Sequence, residues 1–201
     1  MQAVRRIAGR ALPLARADVD TDQIIPSYWL KRLERTGYAA GLFEAWRRDP
    51  AFVLNDDRYR GASILLAGAN FGSGSSREHA VWALMEAGFR AVIAPRVADI
   101  FRNNALRNGL VPVELDSATV TRLVDAVRAD PSTEIAVDVE RRTVEAGIVR
   151  ASFTLDDFSR TRLLEGLDDI ALTSKHDRDI AAYEAKRAEW LPVVTGSQRR
   201  L

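Results

Sequence analysis

Short apolar runs and helically spaced apolar positions take turns along the middle of this chain. The runs at 64–67, 91–95 and 110–113 are almost entirely aliphatic, a pattern typical of strands buried on both faces. Between them, apolar residues recur every three or four positions over 80–87 and 97–106, and a glycine follows each stretch, as glycines often follow helices. The second helix is predicted to face the core with the side chains of Val97, Ile100, Phe101 and Leu106. Strands that alternate with helices in this way predict a parallel sheet.

Other patterned segments surround this central part. We predict further strands at 4–14, 134–139, 143–145 and 149–154, and further helices at 43–48, 117–129, 158–165 and 177–190. An acidic loop is predicted at 18–22 and a loop with one helical turn at 28–41. The pattern therefore predicts a layered α/β fold in one domain over 1–194, which ends in helices, with a disordered tail at 195–201.

Glycines and serines join the predicted strand at 64–67 to the helix that follows it. The stretch 70–79 reads Asn-Phe-Gly-Ser-Gly-Ser-Ser-Arg-Glu-His. The first N–H groups of a helix lack intrahelical acceptors and its dipole favours negative charge, so an anion placed against Gly74 to Arg77 would meet several donors. Arg77 adds a planar guanidinium that can hold a carboxylate through two hydrogen bonds. These residues predict a carboxylate or phosphate site.

Two well-known phosphate loops do not fit this stretch. A Walker loop ends in Gly-Lys-Ser/Thr, but no lysine lies between Lys31 and Lys175, and a dinucleotide fingerprint would need a glycine where Arg77 stands. A purely structural explanation fits equally well, because Ser75 could cap the helix while Glu78 reaches back in a capping box. The residues alone leave both the anion site and the cap open.

The loop is one of several motifs that resemble a known family. Residues 72–80, Gly-Ser-Gly-Ser-Ser-Arg-Glu-His-Ala, resemble the signature of the mobile swivel domain of the aconitase superfamily. The segments 18–26, 30–37 and 98–104 resemble motifs of the small subunits of bacterial 3-isopropylmalate dehydratases, and the likeness covers about residues 1 to 194. The resemblance implies a layered β/β/α swivel domain. It also implies a hydro-lyase that isomerises 2-isopropylmalate and 3-isopropylmalate by dehydration and rehydration in leucine biosynthesis.

The same resemblance implies roles for individual residues. By motif position, Ser75 is the base that removes the C–H proton beside the leaving hydroxyl, and Ser76, Arg77 and Gly74 bind a dicarboxylate substrate. The family's substrate-discriminating loop falls within 28–41, where the candidates are Trp29, Leu30, Lys31, Arg32, Arg35 and Thr36. The apolar residues at 28–30 could wall a pocket for a branched alkyl group or simply pack a short helix.

Other polar residues near these motifs have more ordinary explanations. His79 lies two positions after Arg77, so a helix turns it away, and we predict a structural or subunit-contact role. Asp20 and Asp22 are predicted to form a turn or tether a loop, because further oxygen ligands for a metal are missing nearby in sequence. The asparagines at 103–104 are predicted to tether backbone.

The composition limits which cofactors this chain can hold. It has no cysteine and only two histidines, so it offers no thiolates for an iron–sulfur cluster, and a zinc site is implausible. The family's reaction uses such a cluster. The resemblance therefore implies a 4Fe-4S cluster in a cysteine-containing large subunit, with no metal or cofactor in this chain.

Charge and hydropathy exclude other classes of partner. The net charge of +1, with acids and bases interspersed, predicts no nucleic-acid partner. Without a bilayer-length apolar run or a signal-peptide pattern, the chain is predicted to be cytoplasmic and free of membrane contact. Two alternatives to a 3-isopropylmalate dehydratase stay open. One is a sister hydro-lyase that acts on citraconate, methylmalate or homoaconitate, and the other is an anion-binding module without catalysis.

Overall fold

A computed structural model describes residues 1–34, 36–188 and 190 of the chain. The chain divides into two compact units, one formed by Met1–Asp168 and one that begins at Asp169. The strands of the first unit are β1 (Arg6–Pro13), β2 (Ile64–Leu66), β3 (Ala91–Ala94), β4 (Val111–Glu114), β5 (Glu134–Asp138), β6 (Thr143–Ala146) and β7 (Val149–Ser152). Its helices are α1 (Thr21–Ile24), α2 (Glu44–Arg47), α3 (Glu78–Glu86), α4 (Asp99–Asn108), α5 (Ser117–Ala129) and α6 (Asp157–Glu165). The second unit contains α7 (Asp169–Ser174) and α8 (Asp177–Ala185).

Within the described residues, the strands form one sheet in the order β4-β3-β2-β1-β5-β6-β7. β1 is parallel to β2, β2 to β3 and β3 to β4, whereas β1–β5, β5–β6 and β6–β7 pair antiparallel. The parallel half is in register through Leu12, Leu65, Val92 and Pro112. β1 therefore joins a parallel half, built by helical crossovers, to an antiparallel meander.

The core lies in the parallel half and beneath α5. Every residue of β2 and β3 is buried, which is why these strands read as continuous apolar runs. α5 presents buried side chains every three or four positions and contacts β1, β2 and β3. Asp116 caps this helix by accepting from the Thr119 N–H at 2.9 Å. The hydrogen bonds hold the carboxylate form, so they lower the pKa of Asp116.

The structure confirms the predicted alternation of strands and helices and corrects it in places. The predicted acidic loop contains α1, because Asp20 accepts from the Gln23 N–H at 2.7 Å while the Gln23 side chain accepts from the Asp20 N–H at 2.9 Å. Ile100 was predicted to face inward, but it is 50 % exposed on α4. The sequence pattern did not predict α7, and α8 ends at Ala185 rather than 190.

The predicted domain boundary stays a prediction. The compact units divide after Asp168, whereas the sequence pattern suggested one domain through residue 194. The predicted tail at 195–201 lies outside the described residues. Among the helices that are described, none combines the length and the apolar character needed to span a bilayer.

Candidate active site

The glycine–serine loop, defined as residues 67–77 between β2 and α3, lies against the segment that follows β1. Thr21 uses both of its donors for this contact: its N–H donates to the Ser73 carbonyl at 2.9 Å, and its Oγ1 donates to the Ser75 carbonyl at 2.9 Å. Thr21 is buried, so both hydrogen bonds are shielded from water. They fix the backbone on both sides of Gly74.

The opposite side of the loop packs against the start of α4. The Phe71 N–H donates to the Arg96 carbonyl at 3.1 Å, and the Ala98 N–H donates to the Phe71 carbonyl at 2.9 Å. Gly72 has φ +79°, and a Cβ there would lie 2.3 Å from the ring of Phe101. A glycine is therefore required by both backbone conformation and space. The segments at 18–26, 70–79 and 98–104 that resemble the family meet at this loop.

The tip of the loop is open to solvent. Gly74, Ser75 and Ser76 are exposed, and Arg77 is partly buried. In the part of the chain that is described, no acceptor is found for the backbone N–H groups of 74–77. Consecutive N–H groups without acceptors form a binding surface for an anion.

The start of α3 decides between the two interpretations of Ser75. The helix begins at Glu78, and its N-cap is Arg77 in extended conformation, without a side-chain capping bond. Ser75 lies two positions further upstream, and the Glu78 carboxylate accepts instead from Nδ2 of Asn108 at 2.7 Å. The capping-box interpretation is therefore wrong. The Ser75 hydroxyl has no hydrogen-bond partner among the described residues.

Arg77 is bound to a carboxylate of its own chain. Its Nη1 contacts Oδ1 of Asp22, and its side chain is only 12 % exposed. Asp22 itself remains largely exposed, so the ion pair lies at the edge of the loop. The contact is an ion pair rather than a directed hydrogen bond, because the buried Nη1 has no hydrogen-bond partner among the described residues. The tethering role predicted for Asp20 and Asp22 is what the structure shows: Asp20 caps α1, and Asp22 holds Arg77.

His79 connects α3 to the segment 27–41. Its ring lies 5.2 Å from that of Tyr38 and 4.6 Å from that of Trp82, between centroids. Tyr38 is buried, and the Ala39 N–H donates to Oε2 of Glu86 at 3.2 Å. Burial lowers the pKa of His79, although the nearby Glu78 carboxylate opposes the shift. The packing supports the structural role predicted for this histidine.

The predicted specificity segment is anchored at its other end by α2. Nε1 of Trp29 donates to Oε2 of Glu44 at 2.7 Å, and the Tyr28 hydroxyl donates to the same oxygen. The Arg32 guanidinium lies 5.2 Å from the ring of Trp29. Leu30 is half-buried, whereas Lys31, Arg32 and Thr36 are exposed; Arg35 lies outside the described residues. In the described structure these side chains make their hydrogen bonds and ring contacts within 28–44, and none with 74–77.

Comparisons with known proteins agree on one family. A model of the aconitase C-terminal domain matches residues 1–118. The 3-isopropylmalate dehydratase small subunit of a Parafrankia strain is 63% identical over 194 residues, which are 96% of this chain and all of the relative. That of Streptomyces coelicolor is 57% identical over 192 residues, covering 96% of this chain and 98% of the relative. The chain belongs to the 3-isopropylmalate dehydratase small-subunit family.

A solved structure supports the same family and fold. The 3-isopropylmalate dehydratase structure from Methanocaldococcus jannaschii matches with a TM-score of 0.63 and 26% identity. The match covers 88% of this chain and 98% of that one. The predicted resemblance and the α/β swivel-domain fold of this small-subunit family are thereby confirmed.

The structure also corrects the interpretation of the asparagines. Asn103 is exposed and its side chain has no hydrogen bond among the described residues, and Asn104 reaches Oγ of Ser76 at 3.5 Å instead of tethering backbone. The tether is Asn108, which the sequence did not single out and whose Nδ2 donates to the Asn104 carbonyl at 2.9 Å. The one sequence feature that could have indicated this role of Asn108 is its position one helical turn after Asn104. The described residues contain no group of three or more His, Cys, Asp or Glu side chains that could hold a metal ion.

Proposed function

We propose that this chain is the small subunit of a 3-isopropylmalate dehydratase that interconverts 2- and 3-isopropylmalate in the cytoplasmic synthesis of leucine. Its relatives at 57% to 63% identity carry this name over nearly their whole length. The observation that carries the proposal is the exposed tip 74–77, one short segment that contains two serine hydroxyls, the Arg77 guanidinium and N–H groups without an acceptor among the described residues. This combination suits a dicarboxylate whose charge must be fixed while a neighbouring C–H bond breaks.

Ser75 is the proposed base. Its Oγ, as the alkoxide, accepts the proton from the carbon next to the one that loses hydroxide, and rehydration returns a proton and hydroxide to the exchanged positions. A serine hydroxyl is a poor base in water, so the alkoxide needs nearby donors. The N–H groups of 74–77 and the Arg77 guanidinium are donors of this kind.

Ser76, Arg77 and Gly74 are the proposed binding residues for a substrate carboxylate. Gly74 and Ser76 are exposed, and both are within three residues of Arg77 in the loop. We infer that Trp29, Leu30, Lys31, Arg32, Arg35 and Thr36 belong to the segment that discriminates the alkyl group, because the Tyr38 contact ties this segment to α3. No observation favours citraconate, methylmalate or homoaconitate as the substrate.

A large subunit must complete the enzyme. The sequence contains no cysteine, so the residues of this chain do not fit an iron–sulfur cluster. We infer that a 4Fe-4S cluster bound by the partner supplies a Lewis acid for the leaving hydroxyl. The partner would then cover the exposed loop and exclude water from it.

Ser75→Ala tests the base in the reconstituted two-subunit enzyme. We expect kcat to fall about a hundredfold or more, with little change in substrate Kd, because the variant loses proton transfer but keeps the binding groups. Exchange of solvent hydrogen into 3-isopropylmalate should be lost in parallel. Thermal stability and partner binding should not change, because Ser75 is not a helix cap.

Ser73→Ala is the matched control, because Ser73 holds the loop through its backbone carbonyl. Near-wild-type exchange and turnover in Ser75→Ala would refute the assignment of the base.

A further inference from the structure

Asn104 of α4 points its amide at the exposed tip of the glycine–serine loop. Its Nδ2 donates to Oγ of Ser76 at 3.5 Å, across two elements that are distant in sequence. That distance is long for a hydrogen bond, as is common in sites that close only when the complex is assembled. No partner is found for Oδ1 of Asn104 in the described residues. The amide is therefore a donor to Ser76 whose remaining groups face the site.

α4 is held firmly enough to place this amide. Phe101 packs under Gly72 and its ring lies 5.3 Å from that of Phe71, so the helix cannot move away from the loop without opening the core. One turn after Asn104, the side chain of Asn108 donates to the Asn104 carbonyl at 2.9 Å.

Asn108 also joins α4 to the start of α3. Its Nδ2 donates to the Glu78 carboxylate at 2.7 Å, and its Oδ1 accepts from Nε1 of Trp82 at 3.0 Å. A single side chain therefore fixes the backbone beneath Asn104 and the helix that begins beside Arg77. The relative positions of the Asn104 amide and the Ser76 hydroxyl are set by this network.

A hydroxyl has one hydrogen and two lone pairs, and the amide determines how Ser76 uses them. When Nδ2 of Asn104 occupies one lone pair, the hydroxyl hydrogen must point elsewhere. Ser76 is exposed at the tip, so an anion that binds there can accept this hydrogen. An acceptor at position 104 would instead draw the hydrogen back towards α4.

We propose that Asn104 is a positioning residue, which turns the Ser76 hydroxyl into a donor for the substrate carboxylate. The inference rests on the proposed function, in which Ser76 binds that carboxylate. Asn104 acts in substrate binding through Ser76 and takes no part in proton transfer. Its loss should therefore change KM far more than kcat.

Asn104→Leu, which has a similar size but no donor, is the first test in the reconstituted enzyme. We expect KM for 3-isopropylmalate to rise about fivefold and kcat to stay within about twofold, because a weakened hydrogen bond to a charged group is lost. Asn104→Asp keeps the size and polarity of the side chain, so it serves if the leucine variant does not fold. The aspartate should raise KM about tenfold or more, because a carboxylate can only accept.

Asn103→Leu and Asn103→Asp are the matched controls, since Asn103 is exposed on the same helix and has no side-chain bond among the described residues. Both should leave KM unchanged. An equal effect at position 103 would overturn the proposal in favour of a general effect of charge or helix stability.

A double-mutant cycle separates this inference from the proposed function. If Asn104 acts through Ser76, either Asn104 substitution should have almost no further effect on KM in a Ser76→Ala background. Additive effects would overturn the positioning role. If Ser76→Ala alone leaves KM unchanged, the carboxylate-binding function of Ser76 fails, and the inference fails with it. If Ser76→Ala raises KM but the Asn104 variants do not, only the inference fails.

Discussion

The ion pair between Arg77 and Asp22 holds the guanidinium at the edge of the glycine–serine loop. Asp22 is mostly exposed, so the pair contributes little to stability through screened Coulomb attraction. It places the guanidinium, because the Arg77 side chain is only 12 % exposed and its Nη1 lies against Oδ1 of Asp22. If Arg77 binds the substrate as proposed, two parallel hydrogen bonds would hold the carboxylate in the plane of this guanidinium.

Arg77→Lys should therefore lower kcat/KM by about tenfold to a hundredfold, because the ammonium keeps the charge but loses the fork. The measurement is steady-state kinetics of the reconstituted enzyme, together with thermal unfolding to show that the fold is intact. Asp22→Asn is the comparison: it keeps the shape of the contact and should cause a smaller loss, mainly in KM. An unaltered kcat/KM for Arg77→Lys would show that this arginine does not bind substrate.

Candidate site residues that are contiguous in the motif could be proposed from sequence, but their distant contacts could not. Ser75, Ser76 and Arg77 stand together, so local spacing and resemblance were enough to propose them. The contacts of Arg77 with Asp22 and of Ser76 with Asn104 join segments that only the folded backbone brings together. The start of α3 was also misplaced, because a serine and a glutamate at capping-box spacing made a false helix start look plausible.

At the scale of elements, the contact between the glycine–serine loop and α4 depends on a missing side chain. Gly72 needs φ +79°, and its Cα lies against the ring of Phe101. Gly88, at the end of α3, has φ +103° but nothing within 4 Å of a Cβ built there. An alanine at Gly88 would therefore introduce backbone strain alone, whereas an alanine at Gly72 would add a steric clash.

Gly72→Ala should destabilise the fold by about 3 kcal/mol, because strain at positive φ adds to the displacement of a buried ring. Gly88→Ala should cost only about 1 kcal/mol, from strain alone. Urea unfolding at equilibrium would measure both free energies. Equal costs at the two positions would mean that α4 yields easily and that its packing does not set the loop.

Elements with a clear hydrophobic pattern were predicted well, whereas the one-turn helix α1 was not. The buried strands β2 and β3 and the amphipathic α5 carry unambiguous patterns over their full length. α1 spans a single turn and is specified by the capping contacts of Asp20 and Gln23. The acidic residues around it made the segment look like a loop. Propensity and spacing cannot resolve a helix of one turn, because nucleation depends on such tertiary and capping contacts.

At the scale of the whole molecule, the chain holds the proposed binding loop but no thiolate. We predict that the purified chain is colourless and inactive, and that anaerobic mixing with its cluster-bearing large subunit restores hydratase activity. Visible absorbance identifies a cluster, and conversion of 3-isopropylmalate measures activity. Absorbance or turnover by this chain without a partner would contradict the division of labour.

The class of the fold could be predicted from the order of its elements, whereas the order of strands in the sheet could not. β1 and β5 lie far apart in the sequence of the first unit, yet they pair with each other. This pairing joins the parallel half to the meander. Nothing in the local pattern of either strand indicates which neighbour it takes. Such pairings are decided by the burial of whole faces rather than by spacing within one segment.

The two carboxylates of Glu44 and Glu86 each hold one end of the stretch between Trp29 and Ala39. Each end is fastened by a hydrogen bond to an element outside the stretch, at 2.7 Å and 3.2 Å. The exposed residues between these two hydrogen bonds belong to no strand of the described sheet. The proposed roles therefore predict that the exposed residues of this stretch can be exchanged to suit a different side chain on the diacid, while the buried Tyr38 and the proposed base Ser75 are kept.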